Sequence, residues 1–299
     1  MEPERYRVSV EGGDLAVGRW GSGEPVGLAA HGITSSHMAW SAVGEHVANE
    51  MTLIAPDLRG RGDSADLPGP YGMAQHAKDL LAVLDDAGAT DAVVAGHSMG
   101  GFVATVFATR VPQRTVGVVL IDGGPAIGEP LPPDADIDEV LHNVIGPALE
   151  RLDRKFSSRE EYREFWRSHP AFVSAGTDLQ RVDAYADHDL RGDDLRSKVN
   201  ADAVREDARD TLANEGMRRA IGEIDVPTVL LLAERGMQNE ETPLYPADKV
   251  SALRTRRGAL ESIRVPDTNH YTITMSLHGA RAIAHQLRRF AASAPVRST

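Results

Sequence analysis

Gly96-His97-Ser98-Met99-Gly100 reads G-x-S-x-G, a serine set between glycines. A strand signal, Val93-Val94-Ala95, runs into it, and a helix-compatible stretch, Gly100 to Thr105, runs out of it. At such a strand-to-helix turn the glycines relieve crowding around a strained nucleophile, and the helix N-terminus aims backbone N–H groups at a developing oxyanion. The chemistry this suits is acyl transfer. Serine attacks poorly until a base takes its proton, so an imidazole from elsewhere in the chain must reach the same sheet edge. Among the eleven histidines His270 is the best placed, because Val265-Pro266-Asp267-Thr268-Asn269-His270-Tyr271 leaves the last strand signal as a loop. Tyr271 beside it is expected to contact substrate. His97 is read as a packed histidine, since neighbours in a tight turn point apart, and His76, His142, His169, His188 and His285 as surface or structural residues.

A tetrahedral oxyanion needs two donors. Met99 N–H, directly after the nucleophile, is the first, and Ile33 N–H in His31-Gly32-Ile33-Thr34, just past a strand signal, is the second. Both side chains are expected in the pocket wall.

These residues need a scaffold that brings several loops to one edge. Residues 5 to 10 alternate, Glu11-Gly12-Gly13 signals a turn, and residues 14 to 20 complete a hairpin. Short apolar runs at Val26–Ala30, Met51–Ala55, Ala92–Ala95 and Thr115–Ile121 then alternate with helical segments, the best at Met73–Ala87 and Gly100–Arg110. Such βαβα order implies a mostly parallel sheet covered on both faces. From Pro125 to Gly222 the apolar runs vanish and the sequence turns charged and helix-compatible, which predicts an inserted helical cap. Strand signals return at Thr228–Ala233 and Ser262–Val265, and an amphipathic helix closes the chain near Ser276–Ala292. The expected division is a core of residues 1–124 and 223–299 with a cap of residues 125–222. Within the cap, Trp166 and Phe172 are candidates for the leaving-group or ring-binding wall.

With these residues in view, the chain resembles the α/β-hydrolase superfamily, in the group of small esterases, lactonases and epoxide hydrolases. The resemblance rests on His31-Gly32, on Asp57-Leu58-Arg59-Gly60-Arg61-Gly62-Asp63-Ser64, on the elbow at Ser98, on Asn269-His270 and on the cap insertion, and it covers nearly the whole length. It implies an eight-stranded α/β-hydrolase fold. It also implies a structural part for the Asp57–Ser64 turn, and it disfavours epoxide opening and dehalogenation, because members with those activities carry Asp where this chain has Ser98. The triad acid departs from the commoner family pattern. Leu232-Ala233-Glu234-Arg235 after the seventh strand offers no Asp, whereas some members carry the acid at the end of the sixth strand, where this chain has Asp122. Asp122 is therefore the expected acid, with Glu234 the alternative and Glu240 or Glu241 behind it.

The remaining composition narrows the partners. Lys+Arg of 32 against Asp+Glu of 44 gives a formal charge of -12, a field that repels nucleic acid and anionic membrane surfaces. No cysteine is present, so thiol nucleophiles and thiolate metal sites are excluded. No metal motif, Walker pattern or dinucleotide fingerprint stands out, so neither metal nor cofactor is expected. The charged N-terminal residues do not form an apolar leader, and a cytoplasmic location is expected. The sequence thus points to cofactor-independent hydrolysis of a carboxylic ester or lactone, macrocyclic lactones included. A thioesterase, amidase or aminopeptidase on the same site, and a non-catalytic small-molecule receptor of the same fold, are the alternatives.

Overall fold

The Glu11-Gly12-Gly13 turn closes a hairpin in which β1 (Glu4–Val10) pairs antiparallel with β2 (Gly13–Trp20). This is a computed structural model, and it describes residues 1–132, 134–173, 177–192 and 194–293. The next strands are β3 (Val26–Ala30), β4 (Thr52–Pro56), β5 (Ala92–His97), β6 (Thr115–Ile121), β7 (Thr228–Ala233) and β8 (Glu261–Val265). They form one eight-stranded sheet in the order β1-β2-β4-β3-β5-β6-β7-β8, parallel from β4 to β8. Every residue of β3, β4 and β5 is buried, which is why these strands read as continuous apolar runs rather than as alternation.

Helices α2 (Met73–Asp86) and α3 (Met99–Arg110) cover one face of the sheet. The other face is covered by α1 (Ser41–Val47) and the closing helix α9 (Leu277–Ala292), through Val43, Val47, Ile283 and Leu287. The chain order makes β3 and β5 neighbours although β4 lies between them in sequence. Loops leaving their carboxyl ends therefore open a crevice at a topological switch point, the place where open α/β sheets bind ligands.

The expected insertion contains α4 (Ile137–Asp153), α5 (Arg159–Arg167), α6 (Leu179–Asp189), α7 (Ala201–Ala213) and α8 (Glu215–Glu223). Asp136, Ser158, Asp178, Asn200 and Asn214 each cap the following helix through a side-chain oxygen, so the polar residues that hid the pattern also set the helix starts. The last of these helices differs from the rest. Met217, Ala220 and Ile221 of α8 pack into the same apolar cluster as α2 and α3, so α8 is a core-covering helix at the boundary of the insertion. Among the described residues no helix is long and apolar enough to cross a membrane.

Candidate active site

Ser98 sits between the end of β5 and the first residue of α3 with φ 55° and ψ −122°, a backbone conformation that costs a non-glycine residue on the order of 1–3 kcal/mol. The tight crossing explains the flanking glycines. A Cβ on Gly96 would lie 2.0 Å from the Gly100 carbonyl oxygen, and one on Gly100 would lie 2.0 Å from that of Ala30. Met99 opens α3, so its N–H belongs to the positive end of a three-turn helix.

His270 reaches this edge from the loop after β8. Its Nδ1–H donates to Asp122 Oδ2 at 2.7 Å, and both side chains are buried. Asp122 stands just past β6 with φ 44°, and its second oxygen accepts the Ala233 N–H at 3.2 Å, tying the carboxylate to the end of β7. Glu234 is exposed and accepts the Asp267 backbone N–H at 2.8 Å, while Glu240 Oε2 accepts the Gln238 N–H; neither carboxylate pairs with His270. The His270 loop is held by its neighbours. Asn269 Oδ1 accepts the N–H groups of Tyr271 and Thr272, and its amide donates to the Ala171 carbonyl of the cap at 2.8 Å. His97 Nε2–H donates to the His270 carbonyl at 2.8 Å; burial, reinforced by the nearby His270 ring, holds the His97 pKa well below the ordinary histidine value. His97 is thus a packed, neutral support for the loop, as its position in a tight turn suggested.

The turn from His31 to Ser35 lies against Ser98: a Cβ on Gly32 would be 3.3 Å from Ser98 Cβ and 3.7 Å from Oγ. Its carbonyls are pinned in succession. His31 Nε2 accepts the Leu58 N–H at 2.9 Å, which leaves the proton on Nδ1 to be donated to the Gly32 carbonyl at 2.8 Å. Burial pushes the His31 pKa down to about 3, so this tautomer persists at neutral pH. The Gly32 carbonyl also accepts the Ser35 N–H at 3.1 Å. Arg61 Nε donates to the Ile33 carbonyl at 2.8 Å, and Arg151 of α4 donates to the Thr34 carbonyl at 2.5 Å. Both guanidiniums are fully buried and take their counter-charge from cap helices, Arg61 from Asp207 of α7 and Arg151 from Asp189 of α6. Sequence reasoning missed these four residues. Arg61 stands in a turn already noted, but Arg151 is one arginine among many in a charged segment, and nothing in its sequence neighbourhood marks it as buried.

Two cavities meet at Ser98. The larger, about 340 Å³, is walled mainly by apolar side chains of the core and of α4 and α7, among them Met99, Phe102, Leu141, Ile145 and Leu212. The smaller, about 30 Å³, is lined by His270, Ser35, Ala39, Tyr271 and Thr274. Ile33 and Ile145 border both, and α4 departs from helical geometry at Ile145. Of the expected pocket residues, Ile33, Met99 and Tyr271 line a cavity at Ser98, and Trp166 and Phe172 do not. Trp166 is fully buried in an apolar cluster between cap and core, its ring packed on Phe165, Tyr185 and Tyr271 and beneath the Arg151 guanidinium, 5.0 Å from the ring centre. Phe172 packs on its edge. The cap aromatics fill the seam between cap and core, in one apolar cluster with Met38, Ala39 and Met275 from outside the insertion.

A second polar cluster lies away from both cavities. Asp57 Oδ1 accepts from His37 Nδ1 and from the His37 N–H, each at 2.8 Å; Oδ2 accepts from His188 Nε2 at 2.7 Å and from the Asp63 N–H at 2.8 Å. Two imidazoles and a carboxylate are a donor set that a metal could use, with ligand atoms within 4.8 Å of one another, but here each facing nitrogen is already spent on Asp57. The cluster latches α6 of the cap to the turn after β4. Burial works to raise the Asp57 pKa, yet His37 and His188 outweigh it and hold the carboxylate well below its usual range. A depressed folded-state pKa gives stability that is complete above the unfolded value near pH 4 and is lost as pH falls toward the folded one. Asp57→Asn is therefore expected to cost on the order of 3 kcal/mol at neutral pH. Thermal melts should also show a smaller loss of Tm on acidification from about pH 5 to pH 3 in the variant than in the native chain.

Comparison with known proteins agrees with the architecture. The chain is 36% identical over 115 residues to Lipase LipV of Mycobacterium tuberculosis, covering 38% of this chain and 43% of that one. It is 26% identical over 240 residues to a putative 2-succinyl-6-hydroxy-2,4-cyclohexadiene-1-carboxylate synthase of Bacillus subtilis, covering 77% of each. For several curated relatives matched at 36–40% identity, the chain spans less than half of their length. Among solved structures, E-2-(acetamidomethylene)succinate hydrolase superposes with a TM-score of 0.78 at 22% identity, over 96% of this chain and 98% of that one. Residues 28–285, most of the chain, match the Alpha/beta hydrolase family, in keeping with the eight-stranded, mostly parallel sheet and its helical insertion: the chain belongs to the alpha/beta hydrolase family.

Proposed function

We propose that the protein is a cofactor-independent serine hydrolase of carboxylic esters, with Ser98 as nucleophile, His270 as general base and Asp122 as the acid that orients it. The observation that carries this reading is the buried 2.7 Å hydrogen bond from His270 Nδ1 to Asp122, which turns Nε2 into the free basic nitrogen of a ring that lines the same cavity as Ser98. In the first half-reaction His270 takes the Ser98 proton as Oγ attacks the carbonyl carbon. The oxyanion forms at the N–H groups of Met99 and Ile33, and His270 returns the proton to the departing alkoxide. Water, deprotonated by the same nitrogen, then cleaves the acyl-enzyme. Lysine, metal or cofactor is not needed in any of these steps.

The lipase and hydrolase relatives support hydrolysis as the reaction class. A macrocyclic lactone fits the site less well than an acyclic ester, because its acyl and alkoxy parts are one bulky ring and the cavity beside His270 holds only about 30 Å³. Assays of matched acyclic esters, lactones, thioesters, amides and amino-acid amides test the reading. Esters are expected to have the highest kcat/KM, and a tenfold or greater preference for the thioester, amide or amino-acid amide would replace it.

The pinned turn adds a further expectation. Arg151→Met frees the Thr34 carbonyl and loosens the turn that follows the Gly32–Ile33 peptide, and a shift passed on to the Ile33 N–H of about 1 Å costs up to about 100-fold in rate. The loss should fall on kcat while KM changes little, and steady-state kinetics on one ester separates the two.

A further inference from the structure

The two cavities at Ser98 differ about tenfold in volume, 340 against 30 Å³, and only the smaller one is lined by His270. In an ester the group that leaves is the one whose oxygen receives the proton from the base, so it must stand on the side of the catalytic imidazole. The acyl chain, which stays on Ser98 until water arrives, takes the other side. That side is the apolar one. Its walls at Phe102, Leu141, Ile145, Leu212 and Leu244 carry hydrocarbon into the space between the sheet and helices α4 and α7. The larger cavity therefore has room for an extended hydrocarbon chain, whereas the smaller admits only a water or a group of two or three heavy atoms.

Resting on the serine-esterase reading, we infer that the substrate class is an ester of a medium-length aliphatic acid with a small alcohol, methyl or ethyl in size. The small chamber then serves twice. The ester C–O bond breaks there as the acyl group passes to Ser98 Oγ, and the alkoxide oxygen takes the proton from His270 Nε2 and departs as the alcohol; the water that replaces it loses a proton to the same nitrogen as its oxygen bonds to the acyl carbon, and the acyl–Oγ bond breaks with that proton returning to Ser98 Oγ. The hydroxyls among its otherwise mostly apolar lining suit both visitors: Ser35 Oγ accepts the Tyr185 hydroxyl at 3.2 Å, and Thr34 and Thr274 stand nearby. A larger alcohol would have to displace Ala39, Tyr271 or Met275, each packed against the cap core.

Methyl nonanoate and octyl acetate have the same formula and nearly the same hydrophobicity and differ only in which side of the ester carries the long chain. The inference predicts that the native protein hydrolyses methyl nonanoate with kcat/KM at least tenfold above octyl acetate, followed by release of free acid. It also predicts a rise of up to about fourfold per methylene along the methyl esters from acetate to octanoate. Leu212→Phe, at a half-buried wall position, should lower kcat/KM for methyl nonanoate at least tenfold more than for methyl acetate. Equal rates for the isomers, a preference for octyl acetate, or no hydrolysis of either would overturn it. Fluorophosphonate labelling of Ser98 in the same preparation keeps the two readings apart: a labelled protein with the wrong isomer preference sinks the acyl assignment alone, whereas an unlabelled one sinks the serine reading beneath it.

Discussion

Ser98→Ala is expected to lower kcat for an ester by roughly 10⁴ to 10⁶ while the protein remains folded. The effect is large because nucleophile and base act as a unit: without Oγ there is no acyl-enzyme, and what survives is the contribution of the oxyanion donors and of binding. The fold should tolerate the change. Ser98 accepts positive φ through the crossing of β5 and α3, which Gly96 and Gly100 permit, and its backbone, not its hydroxyl, holds the turn: Ser98 N–H donates to the Ile121 carbonyl and the Ser98 carbonyl accepts the Gly101 N–H, each at 2.9 Å. Alanine at φ 55° bears the same Cβ strain as serine, so the change in Tm should be small. Circular dichroism melts alongside turnover distinguish lost chemistry from lost structure.

Asp122→Asn should cost on the order of 10⁴ in kcat. The amide can accept the His270 Nδ1–H through its oxygen or donate to Nδ1 through its nitrogen. In the second arrangement the ring proton moves to Nε2, and the base nitrogen is no longer free to accept from Ser98. Asp122 Oδ1 also receives the Ala233 N–H, which biases an asparagine to keep its oxygen there and turn its NH₂ toward the imidazole. The substituted chain is thus steered into the unproductive tautomer. Glu234→Gln supplies the contrast: Glu234 is exposed and bound to the Asp267 backbone, so its loss should leave turnover within about twofold. The reverse pattern, near-normal turnover for Asp122→Asn and collapse for Glu234→Gln, would transfer the acid role.

The elements that position this site were legible because a parallel sheet buried on both faces writes each strand as a continuous apolar run. Thr115–Ile121 and Thr228–Ala233 stand where the pattern placed them, and the helices after Met73 and Ser98 agree to within a residue or two. The elbow was legible for a steric reason, since only glycine survives a 2.0 Å approach of backbone at positions 96 and 100. The interior of the cap was not. Arg151, Asp189, Asp207 and His188 look like a solvated helix face in a segment dense with Arg and Asp, yet each is buried and paired with a group far off in sequence, on another cap helix or in the turn after β4. Charge pattern along one helix cannot tell a solvated arginine from one whose partner arrives from another helix. Trp166 and Phe172 show the converse: large aromatics in an insertion suggest a binding wall, but here they fill the seam that joins the cap to Met38, Ala39 and Met275 of the core.

The central claim is that Ser98 is activated by His270, and the most direct measurement is active-site labelling with a fluorophosphonate followed by peptide mass spectrometry. The native protein should gain the phosphonyl mass on the peptide containing Ser98, stoichiometrically and at that residue alone, and His270→Ala should slow the labelling at least 100-fold. An unmodified Ser98 peptide in the native protein, or equal labelling rates with and without the His270 imidazole, would contradict the account.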